Sequence, residues 1–364
     1  MYKSVSFSSF GSAEIDIDTW RSKIELPVFS QDVEYPPRRK VMSYNRTYPL
    51  TRPIVTLRGL SFKIGIITDM DTESKCANQS NKWKSLLRYG SLRFNNHTRS
   101  VSVEWEQNDS NAIEIKSSYS NGGRGMEMSE LVVFNAKVYA VDDRTGIVYE
   151  IIENRVAPWV ILSDGDGTKS KGLKGEWMAV KDQQLYVGGN GKDWSTTDGI
   201  MLHRDPQWIK IIEKDGAVKH LNWVDNYQAM QRKAGYDAPG YIIHESAVWS
   251  EIHKSWFFLP RRASLLRYND RLDEVHGANI LFQCSEDFRS IRVITIGEII
   301  YPERGFSSFR FIPGTRDQFL VALKTVELHG ETQSYITSFT IDGTIVLPDT
   351  KISGQYKYEG IEFL

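Results

Sequence analysis

The sequence predicts an all-β fold, a five-bladed β-propeller closed around a central channel, and three observations carry that prediction. The first is a phrase written five times, in which Ser or Glu opens an apolar, β-like run: Ser129 before LVVF, Glu176 before WMAV, Glu245 before SAVW, Ser307 before SFRFI and Glu359 before GIEFL. The copies lie 47, 69, 62 and 52 residues apart, and repeats on that scale mark one supersecondary unit per blade. The second is composition: 10 Trp, 17 Tyr and 16 Phe beside 27 Gly suit short strands and tight turns better than a helix bundle. The third is rhythm, since strand candidates separated by turn residues recur about every ten residues.

Taken in chain order, residues 1–60 are polar, carry YPPRRK and PLTRP, and show no sustained period. They read as an extended or partly disordered leader. Order is expected from near Phe62, with residues 61–364 forming the propeller. The runs FKIGIITDMD, VSVEWEQ, AIEIKSS, VYAV, IVYEII, QLYVGG, SWFFLP, FLVAL and SYITSFTIDG read as strands between Gly, Asn or Asp turns. Residues 81–90 (NKWKSLLRYG) and 222–235 (NWVDNYQAMQRKAG) have i, i+3/i+4 apolar spacing and a terminal Gly, and read as helices inserted between strands. The last phrase, YEGIEFL, is a lone inner strand. Strands from the start of the ordered region must complete its blade, which closes the ring, removes an exposed edge and buries the C-terminus.

A chain of 364 residues, 40% hydrophobic and 25% charged, buries a large core. A formal charge of -1 leaves no global basic field, which argues against nucleic acid or an anionic membrane as partner, while local Arg and Lys still suit a small anion. Cys76 and Cys284 allow at most one disulfide. Sequons at Asn45, Asn78, Asn96 and Asn108 are usable only in a secretory lumen, yet the first twenty residues hold no apolar run long enough for a signal peptide or membrane span.

The five phrase-opening residues offer three carboxylates and two hydroxyls without Cys or His. One from each innermost strand, facing the channel, makes a donor set for a hard cation such as Ca²⁺ and not for Zn²⁺. Turns after the strands add Asp69 and Asp71 in TDMDTES, Asp142, Asp143 and Arg144 in VDDRTG, Asp164 and Asp166 in SDGDG, and Arg261 and Arg262 in LPRRAS. Singly these are good turn sequences. DGDG lacks the spaced ligands and closing Glu of an EF-hand loop. Collected at one channel mouth, an Asp to position water and Arg144 and Arg261 to grip phosphate make a site for phosphoryl transfer to water; Arg matches phosphate geometry better than nearby Lys181.

The motifs resemble those of the calcium-activated nucleotidases, the Cimex-type apyrases. The likeness runs from about Phe62 to Leu364 and is most specific in GRGMEMSELVVFNAKVYAVDDRTGIVYEI, APWVILSDGDG, GYIIHESAVWSEIHKSWFFLPRRAS, RGFSSFRFIPGTRDQFLVALK and KYEGIEFL. The resemblance implies a five-bladed propeller that hydrolyses nucleoside di- and triphosphates to monophosphate and orthophosphate with Ca²⁺. It implies UDP and GDP as preferred substrates, with ADP and ATP favoured in blood-feeding relatives, in a monomer or Ca²⁺-dependent homodimer of the secretory pathway. The family's calcium position falls on Ser129, Glu176, Glu245, Ser307 and Glu359, the set reached from spacing. Its acidic nucleotide-site motif appears as Asp69, Met70 and Asp71, and Asp143, Arg144 and Arg261 stand where the family has them. Two features depart from the family pattern: the leader is polar, and Gly189, Asn190 and Gly191 replace a more apolar loop before Asp193 and Trp194. Two other readings compete: a calcium-stabilised propeller serving as a binding scaffold without turnover, and a hydrolase of phosphate esters or lactones on the same frame.

Overall fold

The structure is a computed structural model that describes residues 43–106 and 112–364. The expected leader over residues 1–42 and the sequon at Asn108 lie outside the described residues. Tyr44–Leu364 forms one compact unit, so residues 44–60, read from sequence as leader, belong to the same body as the strands.

Five antiparallel sheets follow one another along the chain, and each innermost strand packs against those of its neighbours around a full circle. Blade I is built from both ends of the unit. Its innermost strand, Lys357–Phe363, pairs with Gly59–Asp69, from Ile64 opposite Phe363 to Asp69 opposite Lys357. Trp83–Asn95 comes next, flanked by Val101–Trp105 and Ile113–Ser117. Blade II comprises Met128–Phe134, Lys137–Asp142, Ile147–Ile152 and Arg155–Ile161; blade III comprises Trp177–Lys181, Gln184–Gly188, Trp208–Ile212 and Val218–Asn222. Blade IV runs Tyr241–Ser250, Ser255–Ser264, Ile280–Ser285 and Ile291–Thr295, and blade V runs Gly305–Phe311, Phe319–Leu328, Glu331–Thr340 and Ile345–Lys351.

Burial follows the radius. The innermost strands of blades I, II and V are buried at every residue, whereas the outermost strand of blade II has no buried position. Apolar side chains fill five clusters, one between each pair of neighbouring blades; Trp177, Trp223, Trp256 and Phe258 form the aromatic centre of the one between blades III and IV. A Cβ on Gly360 would stand 2.6 Å from the Leu131 backbone nitrogen, so glycine there lets the closing strand approach blade II.

Every run read as a strand has its apolar part in a strand, and the helix expected over 222–235 is present as Val224–Lys233. The helix expected over 81–90 is a correction: these residues open the strand Trp83–Asn95. Its apolar positions mimic helical spacing because the strand is sandwiched between strands and buried on both faces, so period-2 alternation is lost. The cysteines are both free, Cys284 inside blade IV and Cys76 near the surface. Among the described residues no helix is long and apolar enough to cross a membrane.

Candidate functional site

Four of the five phrase-opening residues sit where the innermost strand breaks register, and the fifth, Glu176, immediately precedes its strand. Ser129 is skipped between the pairs Met128–Asp142 and Glu130–Val141, and Ser307 between Phe306–Lys324 and Ser308–Leu323. Glu359 is skipped between Tyr358–Thr68 and Gly360–Ile67. Glu245 and Ser246 fall between His244–Pro260 and Ala247–Phe258, and Glu176 shares Gly188 with Trp177 through its own N–H at 2.8 Å. A bulge removes a residue from the ladder and re-aims its side chain. Four blades repeat the device, and in the fifth Glu176 stands at the mouth of its strand.

Around that level runs a lattice of buried charge. The Arg261 guanidinium donates to Glu245 at 2.6 Å, Glu359 at 2.8 Å and Glu327 at 2.5 Å. Lys357 Nζ stands 2.6 Å from Asp69, 3.1 Å from Asp71, 3.2 Å from Glu327 and 3.5 Å from Glu359. Lys174 bridges Asp143 and Glu176, the latter at 2.7 Å, and Arg124 bridges Asp71 and Glu127. Asp69 also accepts the Asp71 N–H at 2.8 Å, a local turn that presents both acids together. Eight carboxylates (Asp69, Asp71, Glu127, Asp143, Glu176, Glu245, Glu327, Glu359) thus face four cations (Arg124, Lys174, Arg261, Lys357).

Burial shows in the protonation equilibria. Burial lifts the Asp69 carboxyl to about 8 against the pull of Lys357, with Asp143 and Asp71 adding to the rise. Glu176 is raised to about 7 by burial, opposed by Lys174 and assisted by Glu245. Glu359 is also driven well up by burial, and Glu245 and Asp69 push it further. Glu327 goes the other way: burial alone would raise it, but Lys357 and Arg261 hold it down at about 2. One carboxylate is therefore locked as the cations' partner, while others hold protons because burial disfavours their charge.

Of the residues singled out from sequence, Asp69, Asp71, Asp143, Glu176, Glu245, Arg261 and Glu359 belong to this lattice. Ser307 Oγ donates to the Tyr358 carbonyl at 3.1 Å. Arg144 does not join it: its side chain is exposed at the turn after Asp143. Sequence reasoning missed Lys174, Lys357 and Glu127. Each lies two residues before a phrase-opening residue (Glu176, Glu359, Ser129), the interval at which a strand returns to the same face, and that periodicity was the available signal. Glu327 and Arg124 have no such signal, being supplied by neighbouring strands and loops.

Two atoms carry the test of fit for a hard cation. Ser129 Oγ and Asp143 Oδ1 are buried without a hydrogen-bond partner, and buried polar atoms are rarely left so. All-oxygen donors fit Ca²⁺. Asp69, Asp71 and Glu127 also bring one oxygen each within 4.8 Å of one another, but Arg124 and Lys357 already occupy that cluster.

The fold and site define the class of the protein: a closed five-bladed β-propeller with a buried acidic group able to bind a metal. The Apyrase family model matches residues 70–364. The chain is 50% identical over 327 residues to the soluble calcium-activated nucleotidase 1 of Rattus norvegicus, covering 90% of this chain and 80% of that one. It is 42% identical over 320 residues to the apyrase of Cimex lectularius, covering 88% and 87%, and 42% identical over 303 residues to apyrase apy-1 of Caenorhabditis elegans, covering 83% and 84%. The chain belongs to the apyrase family and is a nucleotide-hydrolysing enzyme.

Proposed function

We propose that this enzyme is a Ca²⁺-dependent phosphohydrolase of nucleoside di- and triphosphates, with UDP and GDP as preferred substrates, and that Ser129, Glu176, Glu245, Ser307 and Glu359 hold the ion. The observation that carries the reading is the cluster of buried carboxyl groups around those five residues, with Ser129 Oγ and Asp143 Oδ1 left unpartnered. Bound there, Ca²⁺ supplies charge neutralisation and Lewis acidity toward phosphate oxygens.

The chain's own residues do the rest. Arg261 offers a planar fork suited to phosphate oxygens, and Glu327 keeps it oriented when no anion is present. Lys174 and Lys357 add point charges at the same mouth, and Arg144 reaches phosphate from the rim. Asp143 Oδ1 is the buried acceptor free to orient a water, and Asp69 or Asp71, held together by the Asp71 N–H to Asp69 bond, takes its proton once the bound cation favours the carboxylate form. The water oxygen forms a bond to the terminal phosphorus as the bridging P–O bond breaks, giving orthophosphate and the shortened nucleotide. Exposed sequons at Asn45, Asn78 and Asn96 support a secretory address.

Phosphate release from UDP, GDP, ADP, UTP, ATP and UMP tests this with Ca²⁺, with Mg²⁺ alone and with chelator. Release from the diphosphates and triphosphates only with Ca²⁺, and none from UMP, is the expected result. Equal release in chelator overturns the ion's role, and release from UMP or simple esters overturns the substrate class.

A further inference from the structure

A second charged network lies one step along the innermost strands from the five phrase-opening residues, and no part of the reaction described above uses it. Ser308 Oγ donates to Glu130 Oε1 at 2.7 Å and accepts the Ile361 N–H at 3.1 Å, so one hydroxyl ties the inner strands of blades V, II and I together. Arg310 binds Glu130 through its terminal nitrogens, at 3.3 Å to Oε2 and 3.2 Å to Oε1, and Glu362 Oε2 through Nε at 3.0 Å. Glu362 Oε2 also accepts the Val133 N–H of blade II at 3.0 Å. All four side chains are buried, at no more than 5% exposure.

The last member comes from outside the repeats. Tyr48 donates its hydroxyl to Glu362 Oε1 at 2.9 Å. Its segment is anchored on blade II, where Tyr44 packs on Phe134 with ring centres 5.5 Å apart and the Asn45 N–H donates to Asn135 Oδ1 at 2.7 Å. Residues from the ends of all five innermost strands line the cavity beside this segment, among them Val133, Met178, Trp249, Arg310 and Glu362. The segment therefore sits over the channel mouth opposite the catalytic one.

Placement gives the network its meaning. Glu130 follows Ser129, Ser308 follows Ser307, and Glu362 lies three residues beyond Glu359 on the same strand. Those three donors occupy bulges, where ladder hydrogen bonds are missing and local backbone position is not fixed by pairing. Besides the Ser307–Tyr358 bond, what ties the three strands together at that height is the Ser308–Glu130–Arg310–Glu362 network, and Tyr48 closes it. The network bonds to none of the three ring residues and acts on them through the strand backbone that carries them.

We propose that Tyr48, with Arg310, Glu130, Ser308 and Glu362, is a positioning assembly that sets the Ca²⁺ affinity of the ring from the opposite side of the channel. Residues 44–48 are thereby a working part of the enzyme and not a leader. The inference rests on the ring assignment above, and its test separates the two.

Calorimetric titration of the full-length protein with Ca²⁺ is carried out for the parent, Tyr48→Phe and Glu176→Gln, with melting in chelator measured alongside. The parent binds, Glu176→Gln loses binding, and Tyr48→Phe binds roughly tenfold or more weakly, a loss of the size outer-shell changes produce. Its ion-free melting temperature drops only by the roughly 2–4 °C that one hydrogen bond explains. Because Arg310→Met carries a risk of misfolding, Tyr48→Phe is the deciding variant. Parent-like affinity in Tyr48→Phe beside lost binding in Glu176→Gln overturns the positioning role and leaves the ring standing. A loss of affinity matched by ion-free destabilisation of the same size overturns it too. Unchanged binding in Glu176→Gln refutes the ring, and the inference falls with it.

Discussion

Two buried charge clusters share the same inner strands, and they are finished differently. In the lower one, every side-chain oxygen of Glu130 and Glu362 and every nitrogen of Arg310 has a protein partner. In the upper one, Ser129 Oγ and Asp143 Oδ1 are buried without partners. A network complete in itself fixes structure, whereas one that leaves buried oxygens without hydrogen-bond partners is built around something the chain does not supply. The two clusters should therefore fail differently when cut.

The largest effect is expected in the lower cluster. Glu130→Ala leaves Arg310 short of a buried partner and should cost about 3–5 kcal/mol, read as a fall in the denaturation midpoint. Glu359→Gln in the upper cluster should spare the fold and lower Ca²⁺-stimulated phosphate release by roughly 10²–10³-fold. Arg261→Lys tests whether the fork itself matters: one ammonium cannot span Glu245, Glu359 and Glu327, and kcat/KM should fall roughly tenfold to a hundredfold.

Protonation adds a pH dependence. Asp69 and Glu176 hold protons in the ion-free fold up to about 8 and about 7, whereas the unfolded chain releases them near the ordinary carboxylate values of 3.8 and 4.5. In that window the folded state binds more protons, so its stability falls as pH rises. Melting in chelator should accordingly drop between pH 5 and pH 8, and Ca²⁺ should flatten the slope. The smallest effect belongs to Arg144→Ala at the exposed rim: a KM increase of roughly tenfold, with stability within about 0.5 kcal/mol of the parent.

Much of this was legible in the sequence because a propeller repeats its chemistry. The phrase from Ser129 to Glu359 carries blade number and closure together, since each copy opens an inner strand. What stayed hidden depends on neighbours distant in sequence. The strand beginning at Trp83 looked helical because pairing buries both its faces. Lys357 looks like an ordinary charged residue until the strand's period sets it beside Asp69, 288 positions earlier. Tyr48 gave no signal, because its role is a single hydroxyl on a carboxylate at the far end of the chain.

The most direct test of the central claim is a crystal structure of the protein grown with Ca²⁺. The account predicts one ion bound by Ser129, Glu176, Glu245, Ser307 and Glu359 at about 2.3–2.6 Å. An ion held instead by Asp69, Asp71 and Glu127, with the five phrase-opening residues empty, would contradict it.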